Sequence, residues 1–144
     1  MKTLALLAAL VLASATTFGR DVNNRKVQLA FERAFAGANN VSWYEVKDHY
    51  MAKFTLNARK ITAHFDKSGT LIALSRMIDG NELPTQVMTR LARKYGHQRI
   101  HCVMEYVVDG LTNYAITLES DSHWTVLHSN PDGEFRQLQK IQKS

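Results

Sequence analysis

Residues 50–78, YMAKFTLNARKITAHFDKSGTLIALSRMI, constrain the fold more than any other stretch of the chain. Tyr50, Ala52, Phe54 and Leu56 alternate with Met51, Lys53, Thr55 and Asn57, the two-residue period of a strand with one buried face. Asn57-Ala58-Arg59 turns the chain, and Ile61, Ala63 and Phe65 then alternate with Lys60, Thr62 and His64. Asp66-Lys67-Ser68-Gly69 forms the next turn, and Thr70 to Ile78 completes a three-strand antiparallel meander. The stretch sets a shape. It carries no nucleophile–base pair, metal-ligand cluster or phosphate loop.

The start of the chain has a different grammar. Met1-Lys2 is a short positive segment, and Leu4 to Leu12 is an apolar run too short to cross a bilayer. Ala13-Ser14-Ala15 supplies the small residues of a cleavage site, so residues 1–15 are expected to be a secretory signal peptide. No Cys follows that run to take a lipid, and Cys102 is the sole cysteine, which excludes an internal disulfide. The protein is expected to be exported, periplasmic or extracellular, with no membrane span in the mature chain. Eighteen Lys and Arg stand against thirteen Asp and Glu, a net charge of +5. The positive residues are dispersed, Arg90, Arg93, Lys94 and Arg99 being the densest group, which suits a solvated face better than a nucleic-acid site.

Residues 16–22 read as a flexible lead-in and residues 23–144 as one α+β domain. Asp21 or Asn23 is placed to cap a helix running to about Ala36, in which Val27, Ala30, Phe31, Ala34 and Phe35 make one apolar stripe. Gly37 stops it, and Val41 to Lys47 is a strand leading into the meander. A second helix follows Pro84, with Leu83, Val87, Leu91 and Tyr95 at four-residue spacing and Gly96 at its end. Strands are expected from about Arg99 to Val108, Leu111 to Glu119, His123 to Ser129 and Glu134 to Ile141, with Asp109-Gly110 as a hairpin turn. Cys102 shares strand parity with Ile100, Met104, Tyr106 and Val108, which marks it as a small buried hydrophobe. The Asp66–Gly69 and Asn130–Gly133 turns align, which suggests two tandem helix-plus-four-strand antiparallel meander repeats over residues 23–79 and 80–144. The helices would then pack on one face of the sheet.

Ala30-Phe31, Val41-Ser42-Trp43 after the first helix, Tyr50-Met51-Ala52-Lys53-Phe54 and Phe65-Asp66-x-x-Gly69-x-Leu71 give the chain a resemblance to a group of small exported bacterial proteins. It resembles those grouped as PepSY-like or beta-lactamase-inhibitor-protein-like (BLIP-like). The resemblance implies an α+β fold with an antiparallel sheet, an envelope or extracellular location, and no catalytic residues. The second half departs from the pattern: Tyr106 or Val107 stands where a tryptophan is expected, and Glu119-Ser120-Asp121 replaces a basic turn. Lactamase inhibition does not follow from shape alone.

The aromatics are the best candidates for a functional surface. Trp43, Tyr44, Tyr50, Tyr106, Tyr114 and Trp124 all fall in expected strands, and since strand faces alternate, Trp43 and Tyr44 cannot share one core. They are the expected contacts for a protein or peptide partner. His64, His123 and His128 are the alternative, as part of a small-ligand or metal-handling protein. Asp48, Asp66, Asp109, Asp121 and Asp132 sit in turns, where carboxylates cap backbone amides, so an enzyme is not expected. No cofactor is called for.

Overall fold

The computed structural model describes residues 16–19 and 21–144; the leader expected at residues 1–15 lies outside them. Among the described residues there are nine strands: β1 (Thr16–Gly19), β2 (Asn39–Val46), β3 (His49–Leu56), β4 (Arg59–Asp66), β5 (Leu71–Ile78), β6 (Arg99–Val108), β7 (Leu111–Glu119), β8 (His123–Ser129) and β9 (Phe135–Gln142). Two helices accompany them, α1 (Arg25–Ala34) and α2 (Thr85–Tyr95), with a short 3-10 turn at Gly80–Glu82. No helix among the described residues is long and apolar enough to cross a membrane.

The strands form one antiparallel sheet in sequence order, β1 to β9, which overturns the expectation of two tandem helix-plus-four-strand repeats. Two separate four-strand meanders would each leave rows of unpaired N–H and C=O groups at their inner margins, and continuous pairing satisfies them. Thr16–Gly19, expected within a flexible lead-in, is also part of the sheet. It pairs with β2 through Thr16–Glu45, Thr17–Tyr44 and Gly19–Trp43. By packing, the chain divides into two compact units, one ending at Ser75 and one spanning Arg76–Ser144.

In the first unit the helix starts at Asn24, not at Asp21 or Asn23. The Asn24 side chain accepts from the amides of Lys26 and Val27 at 3.1 and 3.2 Å, satisfying two free donors of the first turn. Its Nδ2 donates to the Lys67 carbonyl at 3.1 Å, tying the helix start to the β4–β5 turn. Phe31 is the centre of the core. Its ring lies 5.1 Å from Trp43, 5.0 Å from Phe54 and 5.6 Å from Phe35, in tilted or edge-on geometries that suit aromatic quadrupoles. Ala52 and Ala63, paired across β3 and β4 and fully buried, leave room for those rings. Full burial of each large side chain contributes roughly 1.5–3 kcal/mol.

Two hairpin turns set the registers. Asn57 and Ala58 both have positive φ (50° and 63°), the geometry whose twist matches paired strands, and β3 and β4 pair without a slip from Leu56–Arg59 to His49–Asp66. Asp109-Gly110 has the same form (52° and 75°), as expected from its residues. The Asp66 turn works differently. Its Oδ1 accepts from the Ser68 hydroxyl (2.6 Å) and from the amides of Ser68 and Thr70 (both 2.9 Å), which holds its carboxyl below the usual range. Gly69 has φ +91°, and a Cβ there would come within 2.8 Å of the Lys26 carbonyl oxygen.

In the second unit, Val87 and Leu91 of α2 pack with Val103, Tyr114, Ile116, Leu118 and Leu127. The β6–β7 ladder slips between Ile100 and Cys102, so Ile100 and Val103 both reach this core. That bulge inverts the parity expected for β6. Cys102 is consequently half-buried, not a core residue.

Gly69→Ala is expected to cost about 3 kcal/mol by urea unfolding, since left-handed strain adds to a backbone clash. Gly110→Ala meets nothing within 4 Å and carries the strain alone, about 1–2 kcal/mol. Equal losses at the two positions would mean that the turn does not dock on α1.

Candidate partner-binding surface

The structure separates the six candidate aromatics. Trp43 takes the core of the first unit at 0 % exposure, and Tyr44 projects from the opposite face of β2, where Lys53 Nζ sits 5.4 Å from its ring centre. Tyr50 packs against the Phe31 cluster. Tyr106 and Tyr114 are buried in the second unit. Trp43, Tyr106 and Tyr114, expected as partner contacts, are therefore buried and present little surface. Trp43 pairs with Ala52 beneath α1, Tyr114 faces the α2 core, and Tyr106 is buried on the opposite face of the sheet, its ring centre 6.3 Å from that of His128. Tyr44 and Trp124 are left as half-buried surface rings.

Trp124 is the better supported of the two. On one side the His101 ring stands edge-on at 4.6 Å, and Lys143 Nζ lies 4.7 Å from the indole centre. Glu119, paired with Trp124 across β7 and β8, accepts from Lys143 Nζ at 2.6 Å. Arg99 Nη2 and His101 Nδ1 approach the same carboxylate at 3.4 and 3.9 Å. The Lys143 hydrogen bond is the main reason that Glu119 stays ionised to lower pH than a free glutamate. These contacts hold the indole on one face of the sheet while leaving it half open. Ile141, its partner on β9, is 44 % exposed and extends the apolar surface. His101 and Lys143 escaped the sequence reading. The bulge at Ile100/Cys102 is not visible in residue alternation, and it decides what lies beside Trp124.

The other face of this end of the sheet carries an open cleft of about 510 Å³, lined by His97, Gln98, Ser120, Asp121, Ser122, His123, Thr125 and Lys140. Ser122 Oγ and His123 Nδ1 lie 2.7 Å apart. They are chain neighbours in the β7–β8 turn, where Ser120 N and Oγ both donate to the His123 carbonyl. Among the described residues no carboxylate hydrogen-bonds the His123 ring, so the pair lacks the third group that orients a general base.

The histidines proposed as an alternative site do not assemble. His123 and His128 point to opposite faces of β8, and His128 Nε2 pairs with Asn113 Oδ1 at 3.0 Å. His64 belongs to the first unit and pairs with His49, whose Nε2 lies 3.1 Å from His64 Nδ1. Among the described residues no group of three His, Cys, Asp or Glu gathers as metal ligands. His49 was missed in the sequence, although the Asn57-Ala58 turn sets it diagonal to His64. His49 stands opposite Asp66, and His64 opposite Met51.

With this geometry in hand, comparison with known proteins locates the fold. No family model matches the chain, and no curated protein does. Solved structures do. A BLIP-like protein from Bacteroides fragilis superposes with a TM-score of 0.68 at 18 % identity, covering 86 % of this chain and 89 % of that one. The chain has a BLIP-like fold. A protein from Bacteroides eggerthii described as provisionally periplasmic gives 0.71 at 17 % identity, covering 85 % of this chain and 90 % of its own. A DUF2874 family protein from Bacteroides uniformis gives 0.70 at 17 %, covering 84 % and 90 %. At such identities the likeness is one of fold.

His64 yields a pH prediction. It is 6 % exposed, and burial first, then the nearby His49 and Lys53 charges, lowers its pKa from 6.5 to about 4. Burial also lowers His49, with Asp48 opposing. The unfolded chain binds this proton more readily, so stability is full above pH 6.5 and falls as pH drops toward 4. The loss is roughly 3 kcal/mol by linkage. Urea unfolding of wild type and His64→Gln across that window is expected to give a steeper decline in the wild type. Parallel curves would show that His64 does not remain neutral in the fold.

Proposed function

We propose that this chain is an exported, non-enzymatic module that binds a protein or peptide in the bacterial envelope. The observation that carries the proposal is Trp124: a large ring held by His101 and Lys143, half open, beside the exposed Ile141. Tryptophan anchors with a charged rim are what recognition surfaces use, because a rigid ring buries much area at small entropic cost. The leader-like residues 1–15 and the likeness to a provisionally periplasmic fold support the location. A PepSY-like kinship is the finer part of this reading and rests on the Ala30-Phe31, Trp43 and Asp66-x-x-Gly69 pattern.

The test is affinity capture from the envelope of the host cell, with wild type beside Trp124→Ala. Trp43→Ala is unsuitable as a surface probe, since emptying that core position costs about 3–5 kcal/mol. Trp124→Ala is expected to keep the fold, by circular dichroism and urea midpoint, and to lose the captured protein or peptide. Equal capture by wild type and variant would remove Trp124 from the interface. Turnover of a captured molecule would overturn the non-enzymatic reading.

A further inference from the structure

The sheet ends at β9, and that strand is open along its length. Every residue from Arg136 to Gln142 is exposed, and β8 is its only neighbour in the strand order. Beyond the strand, the Lys143 amide donates to the Ser122 carbonyl at 2.9 Å, and His123 stands opposite Gln142. In an antiparallel ladder the residues that bond inward alternate with those that do not. Ile141 and Lys143 thus face β8, and the N–H and C=O groups of Lys140 and Gln142 point outward. Such groups are a template for another strand.

The side chains say which strand fits. From Phe135 to Ser144 the chain carries Arg136, Lys140 and Lys143 and no Asp or Glu. Lys143 is engaged by Glu119, whereas Arg136 and Lys140 have no acidic partner among the described residues. Leu138, between Arg136 and Lys140, and Ile141, between Lys140 and Lys143, are each 44 % exposed. Opposite charges across paired strands attract, and like charges repel. A second copy of β9 paired in parallel, or antiparallel about Leu138, would set basic residues against basic residues, so charge selects against self-pairing in those registers.

We propose that the outer edge of β9 receives an acidic, extended segment of a partner protein as an added strand, with carboxylates beside Arg136 and Lys140 and apolar residues beside Leu138 and Ile141. This deepens the binding reading above and rests on it, because Ile141 joins the edge to the Trp124 surface. Lysines and a bulge between Val126 and Leu127 also guard an edge against neutral strands. An acidic strand is the one such a guard admits.

The test uses isotope-labelled exported protein and two capped peptides about eight residues long. One is built of Glu-Glu-Val-Val repeats, so that a carboxylate reaches each face of the sheet where Arg136 and Lys140 stand on opposite faces, and the other has Lys in place of Glu. At saturation the acidic peptide is expected to slow amide exchange at Lys140 and Gln142 by at least about tenfold, an edge amide gaining an acceptor. The lysine peptide is expected to leave both unchanged. Lys140→Glu is expected to weaken the acidic peptide by about tenfold, and Arg136→Glu serves where the first variant does not fold. No protection by the acidic peptide, equal protection by both peptides, or concentration-dependent protection without peptide would each overturn the proposal. The last outcome would assign the edge to a second copy. Failure here with Trp124-dependent capture intact sinks the edge pairing alone, while protection by the acidic peptide without Trp124-dependent capture sinks the Trp124 surface alone.

Discussion

Hairpin register is the constraint on which the rest of this structure depends. In a strand every other side chain faces the same way, so a slip of one residue exchanges the whole buried set for the exposed one. The Asn57-Ala58 turn, with both residues at positive φ, pairs Ala52 with Ala63 and Phe54 with Ile61. That pairing opens a space under α1 which Phe31 fills against Trp43, Phe54 and Phe65. The same register sends His49 and His64 to the opposite face, where they meet each other. One two-residue turn therefore determines both the core and the meeting of buried His64 with half-buried His49.

The second unit uses the same physics with one irregularity, and the irregularity matters more for function. Asp109-Gly110 starts β6 and β7 in register, but the bulge between Ile100 and Cys102 lets Ile100 and Val103 serve one core. Beyond the bulge, Arg99 pairs with Glu119, and His101 comes to stand against Trp124. Glu119 then collects Lys143, Arg99 and His101 around one carboxylate. Exposed ion pairs add little stability. Their effect here is positional, since they fix the groups that frame the indole.

The two helices are fastened to the sheet by turns as well as by apolar area. Asn24 caps α1 and reaches the Lys67 carbonyl, and Gly69 lets the same turn approach the Lys26 carbonyl. In the second unit, a Cβ at Gly133 would meet the Gln86 carbonyl oxygen at 3.1 Å, so that turn also lies close to α2. A turn held against a helix start shields the last peptide groups of both elements from competing water. It also explains why Asp66 and Asn130, each accepting amides within its own turn, are structural residues.

Much of this was legible in the residues. Two-residue alternation located the strands, glycine and asparagine marked the turns, and four-residue apolar spacing marked both helices, because these signals arise from local sterics. Alternation also required Trp43 and Tyr44 to part, although it could not say which went inward; the pairing of Trp43 with Ala52 under α1 decided that. Three outcomes belonged to the tertiary structure. Continuous pairing made one sheet of what reads as two repeats, because open margins demand partners. The bulge in β6 changed which residues flank Trp124, because one extra residue leaves no trace in hydrophobicity. The pairing of His49 with His64 came from cross-strand placement fifteen residues apart, a distance over which composition carries no information. Local sterics are written in neighbouring residues, whereas register, closure and long-range contact exist only once the strands have met.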